Sequence, residues 1–354
     1  MSALFEALTL RGTTFPHRAW VSPMCQYSAV DGLPQPWHGA HYGSFAIGRA
    51  GLVISEASAV VAEGRITPED AGIWSDAHAE AWEPIVAFSH EQGVPFAFQL
   101  AHAGRKASTY APWRGHGSVP VDAGGWTTVA PSASAFGDYA VPAAMTLDDI
   151  ARARDGFVAA AARADGIGAD AVELHFAHGY LAHEFLSPLS NQRDDSYGGS
   201  LENRMRFALE IVEAVRAVWP DQKPLLMRVS ATDWVEGGWD VDSTIELARR
   251  AHALGVDLVD VSSAGNDPRQ QVHVGPGYQV PFAARIRAEA GVATAAVGLI
   301  TEPRQAEEVV ATGQADAVLL GREMLRDPHW SLSAAHELGA GLAWPDQYLR
   351  ARPT

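Results

Sequence analysis

The apolar residues of the chain form eight short runs, separated by longer segments in which apolar residues recur at helical spacing. Each run is nearly continuous, which is typical of a strand buried on both faces in a parallel sheet that helices cover. The predicted strands are residues 19–23, 52–56, 95–100, 171–175, 224–229, 258–262, 294–297 and 317–320.

Four of the intervening segments carry clear helix signals. Ser200 is suited to cap the second of them, Gly255 follows the third, and Pro303 stands in the first turn of the fourth. The predicted helices are residues 147–164, 201–219, 241–254 and 302–311. Eight strands that alternate with helices predict an α/β fold, a TIM (β/α)8 barrel formed as one domain over residues 1–354. An open doubly wound sheet is the alternative, because a strand count taken from one sequence does not decide closure.

Two segments break the alternation. Residues 102–146, after the third strand, are rich in Gly, Pro, Ser and Trp and have little periodicity. So long an irregular stretch in a compact domain is usually a functional lid or excursion, and we expect one here. The tail over residues 339–354 is also irregular.

Composition limits the classes of partner and the compartment. The formal net charge of −16 makes nucleic acids and anionic membranes poor partners. A single cysteine, Cys25, excludes a disulfide within the chain and suits a reducing cytoplasm. No apolar run approaches the roughly 20 residues that span a bilayer. Residues 1–12 show no signal-peptide pattern, so we expect a cytoplasmic protein.

Polar and reactive side chains collect where the predicted strands end, which is the face that carries chemistry in such barrels. His175 and His178 follow the fourth strand and could be zinc ligands, but the third ligand and the HExxH signature of a zinc site are missing. They could also be structural. We favour two imidazole N–H donors aimed at one oxygen that gains negative charge during reduction. Tyr180 is either a core tyrosine or the acid that protonates a carbanion.

The other strand ends suggest a bound anionic, electron-accepting ring. Gly298, Gly321 and Arg322 follow strands seven and eight, where such barrels often bind phosphate. Arg228 ends a buried strand and needs an electron-rich partner, such as the pyrimidine edge of a flavin. Cys25 is either a small buried side chain or a thiol that hydrogen-bonds a flavin, and a nucleophilic role would require a base such as His175 or His178.

Collinear motifs along nearly the whole chain resemble the old yellow enzyme family. The likeness is to its cysteine-containing branch, the thermophilic-like ene-reductases and xenobiotic reductases. The motifs are SPMCQY (22–27), EASAV (56–60), GRIT (64–67), GIWSDAH (72–78), QLAHAGRKA (99–107), ELHFAHGYL (173–181), EFLSPLSNQRDDSYGGSLENR (184–204) and GREMLRDPHW (321–330).

The resemblance implies FMN bound tightly but noncovalently, and NADPH as the hydride donor for reduction of enones, enals or nitro compounds. It implies that His175 and His178, helped by Tyr27, hold the substrate oxygen, that Tyr180 donates a proton, and that Cys25 tunes the flavin potential. It also implies a homodimer or homotetramer in which Arg350 reaches a neighbouring site. The implied cofactor-binding residues are Ser22, Pro23, Met24, Cys25, Ala57, Gln99, Arg228, Gly298, Gly321 and Arg322.

Three other functions stay open from the residues alone. A larger flavoprotein reductase with a similar barrel would need cysteines for an iron–sulfur cluster, and one cysteine argues against it. A Schiff-base aldolase would use Lys106 or Lys223, the only two lysines. The third is a flavin-binding protein without turnover.

Overall fold

Eight parallel strands close into a barrel in the computed structural model, which describes residues 2–353. Each strand pairs with the next one along the chain, and the eighth pairs with the first through Val318 and Ala19. The strands are Ala19–Val21, Val53–Ala59, Phe96–Ala101, Ala171–Phe176, Leu225–Ser230, Leu258–Ser262, Ala293–Ala296 and Ala317–Leu320. The predicted TIM barrel is confirmed, and the open sheet was the wrong alternative. Residues 1 and 354 of the predicted domain and tail lie outside the described residues.

Helices surround the barrel. They are Pro36–Ile47, Asp76–Glu91, Leu147–Gly166, Leu181–Leu186, Leu201–Arg216, Val241–Ala253, Val280–Ala290, Pro303–Ala311, Arg322–Arg326 and Trp330–Glu337. All four predicted helices are present, and their ends differ from the prediction by at most three residues. Ser200 caps its helix as expected, because its hydroxyl accepts a hydrogen bond from the backbone N–H of Asn203 at 3.2 Å. Gly255 takes the left-handed conformation, at φ +106°, that favours glycine after a helix.

The barrel interior is layered along its axis. Side chains alternate between the interior and the helices along each strand. The N-terminal end is filled by apolar side chains such as Trp20, Ile54 and Leu226. Phe15, in the antiparallel pair Leu8–Leu10 and Thr13–Phe15 that precedes the barrel, packs on Trp20 with ring centroids 4.9 Å apart. Polar interior positions therefore begin only in the next layer, toward the C-terminal ends of the strands.

The irregular stretch after the third strand forms a lobe on that C-terminal side. It contains the turns Gly104–Lys106 and Val121–Ala123 and a short parallel pair, Val129–Ala130 with Ala143–Ala144. Arg105 attaches the lobe to the barrel, because its guanidinium donates to the backbone oxygens of Ser134 at 3.1 Å and Asn266 at 2.6 Å. Within residues 2–353, none of the helices is long and apolar enough to span a bilayer.

The N-terminus of the helix Leu147–Gly166 allows a test of helix capping. Thr146 accepts a hydrogen bond from the Asp149 N–H, and the Asp149 carboxylate accepts one from the Thr146 N–H, which is a capping box. We expect Thr146→Ala to lower the free energy of unfolding by about 1 kcal/mol, measured by urea denaturation followed by tryptophan fluorescence. Thr127→Ala, at an exposed position, is the control, and equal effects of the two changes would contradict the cap.

Candidate active site

Three aromatic side chains converge at the C-terminal end of the fourth strand. The ring centroid of His175 lies 5.1 Å from that of His178 and 5.1 Å from that of Tyr180, and the His178 and Tyr180 centroids are 6.5 Å apart. His175 is the last inward-facing residue of its strand, whereas His178 and Tyr180 lie in the following turn. The backbone N–H of His178 donates to Ser230 Oγ at 2.9 Å, which ties this turn to the end of the fifth strand.

The turn that carries His178 crosses another loop at backbone contact. His178 itself has a left-handed backbone, φ +60°, which is uncommon for a residue other than glycine. A Cβ on Gly179 would lie 2.3 Å from the carbonyl oxygen of Gly265, and a Cβ on Gly265 would lie 2.6 Å from His178 Cα. Only glycine therefore fits at both positions, and the two glycines let the loops after strands four and six meet.

Both imidazoles are neutral near physiological pH. Burial, followed by the positive charge of Arg228, holds the pKa of His175 and that of His178 well below the usual histidine range. The Nδ1 atom of His175 is buried without a hydrogen-bond partner in the described part of the chain, and His178 Nε2 lies 2.7 Å from Ser262 Oγ. A neutral imidazole has one N–H donor, so this pair can present donors to a substrate oxygen.

A charged layer lies inside the barrel beneath the histidines. Arg228 Nε is 3.0 Å from Asp260 Oδ2, and both side chains are buried. Gln99 Nε2 donates to Glu173 Oε1 at 2.8 Å, and burial raises the pKa of both the Glu173 and the Asp260 carboxyl groups. The guanidinium of Arg228 thus has one close anionic neighbour, and its terminal Nη groups have no hydrogen-bond acceptor among residues 2–353.

The loop after the first strand borders the same space. The backbone N–H of Ser22 donates to Leu320 O at 3.0 Å, and a Cβ on Gly321 would lie 3.7 Å from Met24 Sδ, so the loop adjoins the end of the eighth strand. Cys25 lies with Ala57 and Tyr180 in one small apolar cluster. Burial, together with the nearby carboxylate of Asp70, raises the pKa of the Cys25 thiol well above its usual range. Cys25 is therefore a thiol, which disfavours a nucleophilic role.

A buried carboxylate holds this loop in place. Glu56 Oε2 accepts the backbone N–H of Gln26 at 3.0 Å, and Tyr42 donates its hydroxyl to Glu56 Oε1 at 3.2 Å. His38 Nε2 lies 3.2 Å from the same Oε1 atom. The periodicity of the chain does not single out Glu56 for this support, because Glu56 lies inside a continuous strand.

A cavity of about 240 Å³ opens between the loops after strands seven and eight. Gly298, with φ +122°, Gly321 and Arg322 all line it, and their binding of a phosphate stays a prediction. Arg322 makes no ion pair with another group in residues 2–353. Ser262 and Gln279, which line the same cavity, were not predicted as site residues. Ser262 ends the sixth strand, whereas Gln279 lies at the start of a helix, away from any strand end.

A second cavity, of about 310 Å³, lies under the lobe of residues 102–146. Tyr27, Tyr180 and Lys106 line it together with lobe residues such as Tyr110 and Tyr139. The lobe thus covers this cavity, and its function as a lid stays a prediction. Arg350 lies in the exposed turn Asp346–Ala351 and lines neither cavity, so its reach into a neighbouring subunit stays a prediction.

Comparison with known proteins identifies the family. The sequence model of the NADH:flavin oxidoreductase / NADH oxidase family matches residues 3–340. The chain belongs to this family. The NADPH dehydrogenase of Geobacillus sp. (strain WCH70) is 46% identical over 350 residues, which are 98% of each chain.

Solved structures place this flavin oxidoreductase among the old yellow enzyme barrels. Morphinone reductase in complex with tetrahydroNAD has a TM-score of 0.79 at 28% identity, over 97% of this chain and 92% of that one. The old yellow enzyme homologue from Zymomonas mobilis has a TM-score of 0.78 at 27% identity and is covered, like this chain, over 99% of its length. The resemblance read from the motifs is confirmed.

The site of this flavin oxidoreductase fits FMN. The free Nη groups of Arg228 suit the electron-rich pyrimidine edge of a flavin, since a buried cation needs an anionic or polar partner. The Gly298, Gly321 and Arg322 cavity suits a phosphate, which accepts bidentate hydrogen bonds from arginine. Ser22 to Cys25 follow the first strand, which lies between the second strand, where Ala57 stands, and the eighth strand, whose end carries Gly321.

The protonation of the twin imidazoles can be tested by NMR. We expect the imidazole resonances of His175 and His178 not to titrate between pH 8 and about pH 6, because burial and Arg228 oppose protonation. His90 is the internal control. Its pKa is raised by the hydrogen bond with Asp170, so it should titrate above the ordinary value of about 6.5. Resonances are assigned by their loss in the corresponding His→Gln variants. Protonation of His175 above pH 6 would contradict the assignment.

Proposed function

We propose that the protein is an NADPH-dependent ene-reductase that binds FMN tightly but noncovalently. The observation that carries the proposal is the pair of neutral imidazoles, His175 and His178, which converge with Tyr180 above the buried Arg228. When bound, FMN would supply the redox chemistry, the transfer of hydride from NADPH to the β-carbon of an α,β-unsaturated carbonyl or nitro compound.

The histidines hold the activating oxygen of the substrate. Reduction at the β-carbon places negative charge on that oxygen, and preorganised N–H donors in a site with little water stabilise such charge strongly. Because both imidazoles are neutral and held by the protein, they need no reorganisation when the charge appears. Tyr27, which lines the adjoining cavity, assists in holding the oxygen.

Tyr180 supplies the proton to the α-carbon. Burial, followed by the nearby Cys25, raises the pKa of its phenol well above the usual range, so the hydroxyl stays protonated until a carbanion forms. Tyr180 also lines the substrate cavity under the lobe. The Cys25 thiol lies in the same cluster, beside the proposed flavin position, where a hydrogen bond would tune the reduction potential.

The substrates that fit are small enones, enals and nitro compounds, since the cavity beside Tyr27 and Tyr180 measures about 310 Å³. We propose a homodimer or homotetramer, with Arg350 of one subunit completing the site of another. The reducing compartment inferred from the lone cysteine and the use of a soluble hydride donor favour a cytoplasmic location.

The two alternatives are separable from this function. In a Schiff-base aldolase the reacting lysine would be Lys106, which lines the substrate cavity, because Lys223 pairs with Asp165 near the opposite end of the barrel. Borohydride trapping with substrate would attach label to Lys106 in that case only. A flavin-binding protein without turnover would be bleached by a chemical reductant but would not turn over NADPH with an enone.

The deciding experiment follows the visible spectrum of the purified protein under anaerobic conditions. We expect a flavin spectrum that NADPH bleaches and cyclohexenone restores, with cyclohexanone as product. A preparation that binds no FMN, or whose reduced flavin is not reoxidised by any enone or nitroalkene, would overturn the proposal.

His178→Ala should remove most activity on cyclohexenone while FMN stays bound. Loss of one preorganised donor commonly costs about 10²–10³ in rate. Turnover is measured by NADPH consumption, and FMN content by absorbance after denaturation. His90→Ala is the control, because His90 is partly exposed and pairs with Asp170, which precedes the fourth strand. Full activity of His178→Ala would reject the assignment.

Tyr180→Phe should slow reoxidation of the reduced flavin by cyclohexenone more than it slows reduction by NADPH. The phenol is required only for the proton at the α-carbon, and general acid catalysis typically contributes about 10²–10⁴ in rate. Stopped-flow absorbance measures the two half-reactions separately. Tyr197→Phe, which removes a hydroxyl bound to Glu210 outside the site, is the matched control. Equal slowing of both half-reactions would argue against a proton donor.

A further inference from the structure

One lysine joins three loops around the twin imidazoles. Lys106 follows the third strand, and its Nζ donates to the backbone oxygen of His178 at 2.7 Å and to that of Gly265 at 3.0 Å. These two acceptors belong to the loops after strands four and six. The ammonium group therefore bridges the crossing at which Gly179 and Gly265 bring the two backbones into contact.

The two carbonyl oxygens need such a bridge. Two carbonyl dipoles that point into the same space repel one another, and a cation between them removes that repulsion. His178 is also held at φ +60°, a backbone conformation that persists only where surrounding contacts enforce it. The Ser230 hydroxyl fixes the N–H of His178, and Lys106 fixes its C=O. Together they hold both ends of the residue.

Lys106 is not explained by an ordinary ion pair. No carboxylate lies within 4.0 Å of its Nζ in the described residues, and its remaining contacts are with the ring faces of Phe136, at 4.7 Å to the centroid, and Tyr180, at 5.1 Å. Burial lowers the pKa of its ammonium group to about 8, and the carboxyl group of Glu184 only partly offsets this effect. The partners of this half-buried cation are backbone oxygens and aromatic ring faces. Its interactions therefore hold those groups in place.

We propose that Lys106 is a positioning residue that fixes the His178 imidazole for substrate by holding the carbonyl groups of His178 and Gly265 together. The proposal rests on the proposed function, because it is the role of His178 in holding the substrate oxygen that makes its placement matter for rate. Lys106 touches neither the substrate oxygen nor the α-carbon in this scheme, and it acts through the backbone of His178.

The chain supplies its own control, because its only other lysine lies elsewhere. Lys106→Met keeps the length of the side chain and removes its charge and donors, and Lys223→Met makes the same change beside Asp165. We expect Lys106→Met to slow reoxidation by cyclohexenone about tenfold or more, because misplacement of a positioning group by about 1 Å can cost about 10² in rate. Reduction by NADPH should stay within about twofold, and Lys223→Met should leave both steps unchanged.

A conservative variant separates positioning from general destabilisation. Lys106→Arg keeps a cation with several donors, so it should recover part of the lost reoxidation rate, whereas Lys106→Gln should not. Reoxidation by Lys106→Met within twofold of the unaltered protein would overturn the proposal. Equal slowing of both half-reactions in Lys106→Met and in Lys106→Gln would overturn it as well. The loss of rate would then not be confined to the step in which His178 holds the substrate oxygen.

Hydrogen exchange tests, independently of catalysis, whether Lys106 holds the loops of His178 and Gly265 together. Amides of residues 177–180 and 265–267 should exchange faster in Lys106→Met than in Lys223→Met. Unchanged exchange would show that Lys106 does not hold these two loops together. This readout distinguishes the two proposals. If enones fail to reoxidise the flavin of the unaltered protein, the proposed function fails, whereas the exchange data still decide whether Lys106 holds the crossing.

Discussion

Arg228 lies inside a closed barrel, 3.0 Å from Asp260, and much of the site follows from the need to satisfy this buried charge. An isolated cation in such a position is costly, so the interior must supply an anion and further polar groups around it. Asp260 is that anion. Burial, followed by the charge of Asp260, raises the pKa of the Glu173 carboxyl, and burial, followed by the charge of Arg228, lowers that of His175. The same arginine thus keeps an imidazole neutral above it and leaves Nη donors free for a cofactor.

The strand alternation decides which side chains share that interior. Glu173 and His175 are two residues apart on the fourth strand, and Arg228 and Asp260 stand in register on the next two strands. Below this layer the interior is apolar and excludes water, whereas above it the loops supply His178, Tyr180 and the roof of residues 102–146. The barrel therefore separates a packed half, which gives stability, from a half that carries the chemistry.

Much of this arrangement was predictable because it depends on local patterns. Continuous apolar runs indicate strands buried on both faces, and glycine, proline and serine signals mark the helix ends. Polar residues at strand ends meet because parallel strands present the same end to one face. The parts that were not predicted depend on contacts between segments that are distant in the chain. Glu56 stands inside an apolar strand and Gln279 lies away from the strand ends. Lys106 follows the third strand, but its two carbonyl acceptors belong to the loops after strands four and six.

The sequence by itself determined the strands and helices, the family and the side chains at the strand ends, since periodicity and motif are properties of neighbouring residues, whereas closure of the sheet into a barrel appears only in the tertiary structure. The tertiary structure decided how those side chains are used. Whether His178 is neutral, whether Cys25 is a thiol, and whether Lys106 donates to two carbonyls depend on burial and on charges contributed by distant segments. Electrostatic free energies follow distances through space, and only the folded chain sets those distances.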